Sequence, residues 1–239
     1  MKMGTVVRNR PQVAEEKLAL LRGFGVATVH EAMGRTGLMK PYLRPIFPAE
    51  AIAGNAVTVL VHPGDNWTIH VALELCRPND VVVVALSSDC TDAMVGELIG
   101  SSMVARGVIG AVIDAGCRDV ADLTRMRFPV WSRGASAKGT IKATLGTVNV
   151  PVVCAGAQVH AGDVIVADVD GVVVVPHAQV GAAISASRER VEREQRKRLR
   201  LQAGELGLDI DNMRPALEKA GIRYYDTLDD AEIAGREQP

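Results

Sequence analysis

The chain has 239 residues, of which 48% are hydrophobic and 23% are charged, and its formal net charge at pH 7 is -1. This size and composition suit a globular protein with a substantial core, and the charge gives no reason to expect nucleic acid as a partner. The longest apolar run, residues 81–86, falls short of the roughly 18 residues that cross a bilayer, and residues 1–16 lack an apolar signal core, so we predict a cytoplasmic protein without a membrane partner.

Hydrophobic periodicity predicts strands that alternate with helices. A helix is expected over about residues 13–34, and a loop rich in glycine and proline over residues 34–48. Stretches rich in β-branched residues predict six strands, at Ala56–Val61, Val81–Leu86, Val108–Ile113, Val152–Cys154, Val164–Ala167 and Val172–Val175. Helical patterns lie between them at Trp67–Leu75, Ala93–Arg106 and Val120–Arg127. This mixture predicts an α/β fold.

The C-terminal part of the sequence has a different character. Residues 179–203 predict one helix of about 37 Å, and its second half is almost entirely charged. The apolar stripe thins after Val191, so we expect this end to reach another subunit rather than its own core. We therefore divide the chain into one domain over residues 1–178 and a helical extension over residues 179–239 that contributes to a subunit interface.

The stretch from Val108 to Asp122 carries the strongest functional signal. It predicts a buried strand that stops at Gly116 and a helix that starts at Asp119, and ligands of open α/β sheets bind beyond the carboxyl ends of strands. Arg118 offers a planar, permanently charged fork that suits a carboxylate or a polarised carbonyl. Asp119 is a hard oxygen ligand that suits a magnesium-like cation. A surface ion pair with a helix cap fits the same two residues, and their spacing alone leaves both interpretations open.

Other kinds of site find less support. The four cysteines form no CxxC pair and the five histidines show no HExxH spacing, which disfavours a zinc site or a disulfide framework. His62 and His70 flank the loop PGDNW and could approach a site, although packing or capping is the commoner role of a histidine in such a place. Lys138 and Lys142 lie in a polar run that predicts a surface loop or short hairpin, whereas a Schiff-base lysine needs a desolvated position. The lysines therefore favour metal chemistry over imine chemistry.

Six segments carry a recognisable pattern: HEAMGRTGL at 30–38, PGDNWTIHVALE at 63–74, GELIGSSMVARGV at 96–108, AGCRDVADL at 115–123, VNVPVVCAGAQVHAGDVIVADVDGVVVV at 148–175, and AGELGLD at 203–209. Within them, Gly96 precedes the pair Arg118 and Asp119 by about twenty residues, and Asp122 follows three positions later. Together the segments resemble the 4-hydroxy-4-methyl-2-oxoglutarate / 4-carboxy-4-hydroxy-2-oxoadipate aldolases of the RraA-like superfamily. The resemblance covers nearly the whole chain.

The resemblance implies a class II pyruvate aldolase with a swivelling β/β/α-like fold that assembles as a homotrimer or homohexamer, with active sites between subunits. Asp119 matches the ligand of a divalent metal, Mg²⁺ or Mn²⁺, and Arg118 matches the contact to the substrate carbonyl. The backbone of Gly96, Glu97, Leu98 and Ile99 matches the stretch that holds the substrate carboxylate. Capping preferences start that helix nearer Thr91 or Asp92, which leaves open whether these amides are free donors.

Two further acids complete the site that the resemblance implies. Glu194 matches a catalytic acid that the neighbouring subunit contributes. Asp122 is expected to support the metal site from behind, where it helps to position the water that takes a proton from the substrate.

The activity implied is retro-aldol cleavage of a 4-hydroxy-2-oxo acid to pyruvate plus pyruvate or oxaloacetate, in the degradation of aromatic compounds. Decarboxylation of oxaloacetate, which yields the same enolate, is expected as a side activity. A competing class is a non-catalytic RraA-like regulator that binds an RNA-degrading enzyme. A third is a protein that binds a sugar or an oxo acid without transforming it.

Overall fold

A nine-stranded mixed sheet forms the centre of the computed structural model, which describes residues 2–230 and residue 232. The strands of this sheet are β1 (Arg44–Pro45), β2 (Ile52–Val61), β3 (Asp80–Leu86), β4 (Ala93–Val95), β5 (Gly110–Cys117), β6 (Val130–Ala135), β7 (Thr147–Val148), β10 (Val164–Asp168) and β11 (Gly171–Val175). Two further strands, β8 (Val152–Cys154) and β9 (Ala157–Val159), form a separate hairpin. The helices are α1 (Glu15–Ala32), α2 (Trp67–Leu73), α3 (Glu97–Ala105), α4 (Val120–Arg125), α5 (Val180–Gln202), α6 (Gly207–Ile210) and α7 (Arg214–Lys219). The predicted α/β class is confirmed.

The main path of the sheet runs in the order β1-β6-β5-β3-β2-β10-β11. Its four central strands, β6, β5, β3 and β2, are parallel, and the strands at both edges are antiparallel. The sheet curls until it nearly closes. The indole nitrogen of Trp131 on β6 donates to the carbonyl oxygen of Asp168 on β10 at 2.8 Å, and Arg44 on β1 reaches the carbonyl oxygen of Asp170 at 2.8 Å.

Valine-rich strands form because both faces of the sheet are covered. Along β3 the side chains of Val82 and Val84 enter one core, where α2, α3 and α4 pack. Val81 and Val83 enter a second core on the opposite face, together with Trp131 and the β8–β9 hairpin. Strands that are buried on both faces read as continuous apolar runs instead of alternating patterns. That is why the sequence identifies β3 and β11 so clearly.

The six predicted strands are all present, but the predicted end of β5 is wrong. The strand continues through Gly116 to Cys117, so Gly116 is not a turn. It pairs with Gly134 on β6 and with Ala93 on β4. A side chain at this position would overlap the carbonyl oxygen of Thr91. The glycine is therefore needed for the close approach of a neighbouring strand.

The single helix predicted over Ala93–Arg106 is also wrong. Residues 93–95 form β4, which pairs in parallel with the end of β5, and α3 begins only at Glu97. Gly96 separates them with an extended backbone, at φ -141° and ψ -168°. Three apolar residues that precede a helical pattern can belong to either element, because periodicity alone does not separate them.

The long C-terminal helix is confirmed: α5 spans Val180–Gln202, against a prediction of residues 179–203. Its buried residues are Val180, Ala183, Ile184 and Ser187, so its charged second half carries no buried position. The chain forms two compact units, residues 1–191 and residues 192–239, and the boundary between them falls within this helix. The assignment of residues 179–239 to a subunit interface stays a prediction. Across residues 2–230 and 232, no helix is long and apolar enough to span a membrane.

A buried ion pair fixes the segment that precedes α1. Arg10 donates to the carboxylate of Asp80, and their side chains are 2% and 0% exposed. Asp80 also accepts the amide of Arg77 at 2.6 Å. Burial raises the pKa of Asp80 to about 6, although the positive charge of Arg10 opposes the shift. Removing one partner of such a pair leaves an uncompensated buried charge, which costs about 3 to 5 kcal/mol.

We therefore expect Arg10→Met to lower the free energy of unfolding by about 3 to 5 kcal/mol at pH 8, as measured by urea denaturation. The loss should shrink toward pH 5. The pKa of Asp80 is already raised by burial, so the folded variant takes up a proton on Asp80 at that pH, which neutralises the buried charge, while its unfolded state does not. The double variant Arg10→Met/Asp80→Asn should cost less than the sum of the two single variants. Additive losses that do not depend on pH would contradict this account.

Candidate functional site

The ends of β4 and β5 bring the starts of two helices together. The amide of Arg118, directly after β5, donates to the carbonyl oxygen of Val95 at the end of β4, at 3.0 Å. Gly96 and the start of α3 therefore lie beside Arg118 and Asp119, which precede α4. The carboxyl edge of the sheet thus holds the residues that the sequence singled out, although they lie about twenty positions apart in the chain.

Asp119 adopts a left-handed backbone conformation, with φ 57° and ψ 39°. It occupies the N-cap position of α4, but its carboxylate does not cap that helix. Instead, its Oδ2 atom accepts the amide of Glu97 at 3.0 Å, at the start of α3. The same oxygen lies 3.5 Å from Nε of Arg118. The carboxylate therefore links the two helix starts, and the simple helix-cap interpretation does not hold.

Gly96 is required by the closeness of this packing. A Cβ atom at residue 96 would overlap Oδ2 of Asp119 and would lie 2.9 Å from Cγ of Arg118. The extended backbone at Gly96 is one that any residue adopts, so the constraint is steric. This contact explains why the sequence pattern joins a glycine to a distant Arg-Asp pair.

The first turn of α3 supplies free backbone donors. The expectation that this helix starts nearer Thr91 or Asp92 is wrong, because those residues precede β4 and the helix begins at Glu97. The amide of Glu97 is used by Asp119, whereas the amides of Leu98 and Ile99 meet no acceptor among residues 2–230 and 232. Free amides at a helix N-terminus bind anions, because they combine unpaired N–H groups with the positive end of the helix dipole.

A cavity of about 150 Å³ opens beside these groups. Its walls include four residues from the predicted region, namely Gly96, Leu98, Ile99 and Arg118. The other walls contain Gly139 and four polar residues that the sequence alone did not assign to a site: Asn66, His70, Thr140 and Lys142. The cavity is therefore cationic as well as polar, with an arginine on one wall and a lysine on another.

Of these additional residues, Asn66 comes from the PGDNW loop, His70 comes from α2, which follows that loop, and the other three come from the polar run around Lys142. Lys142 does lie on an irregular surface segment, as predicted, but that segment returns across the sheet edge and forms a wall of the cavity. Lys138 on the same segment pairs with Asp92 at 3.0 Å. Two signals were available: residues 63–74 belong to the segments that carry the family resemblance, and His70 flanks the PGDNW loop, where it could approach a site.

Asp122 and Glu194 keep their roles as predictions. Asp122 lies on α4 and pairs with Arg125 at 2.8 Å. It lines a shallow groove that Glu97 also lines. Glu194 lies on α5 and is half-buried, within the unit of residues 192–239.

The donor set around Asp119 fits a hard cation that keeps most of its waters. In the part of the chain that the structure describes, no group of three or more His, Cys, Asp or Glu side chains is arranged to hold a metal ion. The side chain of Asp119 is 37% exposed, and Oδ2 carries both of the contacts described above. The remaining oxygen suits Mg²⁺ or Mn²⁺, which bind through one or two carboxylates plus water, better than it suits a tetrahedral zinc site.

Sequence comparisons place these residues among known proteins. Residues 26–174 match the family described as RraA-like, Aldolase/RraA. A protein of Halalkalibacterium halodurans named "Putative 4-hydroxy-4-methyl-2-oxoglutarate aldolase" is 32% identical over 157 residues, which cover 65% of this chain and 75% of that protein. An uncharacterised protein of Methanocaldococcus jannaschii is 29% identical over 198 residues, which cover 81% of this chain and 93% of that protein.

Solved structures give the fold. Streptomyces coelicolor RraAS2, described as an unusual member of the RNase ES inhibitor RraA protein family, aligns with a TM-score of 0.73 at 23% identity and covers 80% of this chain and 100% of its own. The RNA-processing inhibitor RraA from Thermus thermophilis aligns with a TM-score of 0.56 at 22% identity, over 63% of this chain and 91% of its own. These likenesses confirm the predicted RraA-like fold and, at such identities, carry no statement about activity.

The electrostatic effect of Lys142 on His70 inside the cavity can be tested directly. Desolvation lowers the pKa of His70, and the positive charge of Lys142 lowers it further. Lys142→Met should therefore raise the pKa of His70, as followed by NMR titration of its ring protons, but not to the ordinary histidine value, because the desolvation remains. Lys138→Met is the matched control and should leave His70 unchanged. Equal shifts in both variants, or none in either, would mean that Lys142 does not face His70.

Proposed function

This chain belongs to the RraA-like family, and we propose that it is a divalent-metal-dependent pyruvate aldolase that cleaves 4-hydroxy-2-oxo acids. One observation carries the proposal: Arg118 and the free amides of Leu98 and Ile99 line one cavity, and the carboxylate of Asp119 lies 3.5 Å from the Arg118 guanidinium, in a neighbouring depression that Arg118 also lines. An anion site, a guanidinium and a hard oxygen ligand are the three groups needed to hold a 2-oxo acid and stabilise its enolate. The names of the curated relatives support the same reaction class.

Substrate binding begins with the carboxylate next to the oxo group. We propose that it accepts the amides of Leu98 and Ile99, where the start of α3 favours negative charge. Arg118 then lies within the same cavity and donates to the 2-oxo oxygen. Its guanidinium stays charged at every relevant pH and presents several donors in one plane.

The reaction breaks the bond between C3 and C4 of the substrate. The 4-hydroxyl loses its proton and becomes the carbonyl of the second product, while the electron pair of the broken bond moves to C3 and onto the 2-oxo oxygen. The enolate of pyruvate results, and protonation at C3 then releases pyruvate. Arg118 donates to the oxygen whose charge grows, and removal of one such donor typically costs about 3 to 4 kcal/mol of transition-state stabilisation.

Asp119 would hold the Mg²⁺ or Mn²⁺ ion, and the ion when bound supplies Lewis-acid polarisation of the 2-oxo group. We propose that Glu194 of a neighbouring copy, in a homotrimer or homohexamer, positions the water that accepts the hydroxyl proton. Asp122 supports this arrangement from α4. A carboxylate near a site that handles one proton per turnover is the expected residue type for this role.

The other lining residues of the cavity suggest the substrate class. Lys142 and His70 line the same cavity as Arg118, and Asn66 and Thr140 add polar lining. A second carboxylate on C4 of the substrate would find a cation there, as in 4-hydroxy-4-methyl-2-oxoglutarate and 4-carboxy-4-hydroxy-2-oxoadipate. Oxaloacetate also carries two carboxylates, and its decarboxylation gives the same enolate, so we propose that side activity as well.

A regulator that binds an RNA-degrading enzyme remains the competing class, because solved relatives of that description share the fold. A regulator needs no free helix amides beside a cationic cavity, and this is why we favour the enzyme. Release of pyruvate from oxaloacetate or from 4-hydroxy-4-methyl-2-oxoglutarate separates the two classes in one assay.

Arg118→Ala should lower kcat by about a hundredfold to a thousandfold, because the growing oxyanion loses its donor. The measurement is steady-state release of pyruvate, with circular dichroism to confirm that the fold persists. Arg106→Ala, an exposed arginine at the other end of α3, is the control and should retain its activity. Turnover near the wild-type rate in Arg118→Ala would remove Arg118 from the mechanism.

Chelation with EDTA should abolish cleavage, and added Mg²⁺ or Mn²⁺ should restore it in the wild-type protein but not in Asp119→Asn. Asparagine tolerates the left-handed conformation at this position, so the backbone should survive while the charged ligand is lost. Asp170→Asn, in the turn between β10 and β11, is the matched control. Cleavage that persists after exhaustive chelation would exclude the assigned metal chemistry.

A further inference from the structure

Residues 136–146, which we call the cavity loop, form an irregular segment between β6 and β7 that closes one side of the cavity. Several backbone hydrogen bonds tie it to the residues around the sheet edge, and two of them flank the part that faces the cavity. The amide of Ala93 donates to the carbonyl oxygen of Lys138 at 2.8 Å. The amide of Ile141 donates to the carbonyl oxygen of Gly64 at 2.9 Å. Between them the loop presents Gly139 and Thr140 to the cavity, and Lys142, directly after Ile141, also lines it.

Asp65 holds the following part of the loop. Its side chain is buried, with the residue 2% exposed. The Oδ2 atom accepts the amides of Ala143 and Thr144 at 2.8 and 2.7 Å, and Oδ1 accepts the amide of Trp67 at 2.9 Å. Burial by itself would raise the pKa of Asp65, but these amide donors outweigh it and hold the pKa below its ordinary value. The carboxylate is therefore charged at neutral pH, and each of its bonds is charge-assisted.

The position of this anchor relates it to the cavity. Ala143 follows Lys142 directly, so the bonds to Asp65 fix the backbone next to the lysine. Asn66, adjacent to Asp65 on the other side, is itself a wall of the cavity and donates its side-chain amide to the carbonyl oxygen of Met94 at 3.0 Å. One buried carboxylate thus sets the separation between two walls that a ligand must fit.

We propose that Asp65 is a positioning residue that holds Lys142 in the cavity and so selects oxo acids that carry a second carboxylate. The inference rests on the proposed function, since it concerns the substrate preference of the same site. Asp65 does not touch the substrate. It acts through the backbone of the cavity loop, and its loss should change selectivity more than it changes the chemical step.

Loss of a buried carboxylate that only anchors a turn should not change substrate selectivity, and Asp163 is a matched example of such a carboxylate. Asp163 is 4% exposed and accepts two backbone amides, from His160 at 2.8 Å and from His177 at 2.9 Å. It does not line the cavity, and the two amides that it accepts belong to residues outside the cavity loop. Asp163→Asn therefore reports the general cost of weakening a buried anchor.

The experiment compares Asp65→Asn with Asp163→Asn on two substrates, 4-hydroxy-4-methyl-2-oxoglutarate and its analogue without the C4 carboxylate, 4-hydroxy-4-methyl-2-oxopentanoate. In Asp65→Asn we expect KM for the dicarboxylate to rise about tenfold to a hundredfold, with KM for the analogue and kcat for both nearly unchanged. Lys142→Met should give the same pattern, and the double variant should be no worse than either single one, because both changes remove one interaction.

Hydrogen exchange supplies a readout that needs no turnover. The amides of Ala143 and Thr144 should exchange about tenfold to a hundredfold faster in Asp65→Asn, while the amides of β3 keep their protection. Should Asp65→Asn fail to fold, Thr144→Pro removes one donor and leaves the carboxylate in place, and it should raise the same KM.

Two results would overturn the proposal: unchanged exchange and kinetics in Asp65→Asn, or equal losses on both substrates that match those of Asp163→Asn. Absence of turnover in the wild-type protein would instead refute the proposed function. In that case the positioning role is tested by hydrogen exchange together with calorimetry, which measures the binding of 2-oxoglutarate, a dicarboxylate, and of 2-oxobutyrate, which has one carboxylate. Asp65→Asn must weaken only the dicarboxylate, and an equal effect on both ligands rejects the inference.

Discussion

The contact between Gly96 and the Arg118–Asp119 pair is the constraint on which the site depends. Because residue 96 has no side chain, Oδ2 of Asp119 reaches the amide of Glu97 and the guanidinium of Arg118 lies against the start of α3. Pairing of β4 with β5 brings the two helix starts to this distance, and the curled sheet holds both strands. A short strand, a glycine and a carboxylate therefore fix a guanidinium, two free amides and a carboxylate oxygen close to one another.

Local sequence patterns were sufficient to predict much of the fold. The valine runs of β3 and β11 are buried on both faces, and such strands leave an unmistakable signature in sequence. The same method failed at β4, because three apolar residues before a helix read as its first turn. It also failed at Gly116, where a glycine typical of a turn instead admits the backbone of a neighbouring strand. In both places the deciding contact is made by residues distant in the chain, which no local window contains.

The candidate site divides in the same way. Arg118 and Asp119 could be located from sequence because they directly follow a strand, where chemistry is expected in this class of fold. Their connection to Gly96, and the expectation that the stretch through Ile99 binds a carboxylate, came from family resemblance. The cavity loop was assigned only as a surface segment, since the bonds from Asp65 to Ala143 and Thr144 span 78 and 79 positions. A wall made by such distant partners becomes visible only in three dimensions.

The left-handed backbone at Asp119 has an evolutionary consequence. Asparagine occupies that region about as readily as aspartate, so a single nucleotide change in the codon can delete the negative charge and leave the turn unstrained. Chemistry and architecture are thus separable at this residue. Under the proposed function, a duplicated copy of such a protein loses its catalytic activity in one mutational step while it remains an intact scaffold, on which selection is free to build a surface for a new partner.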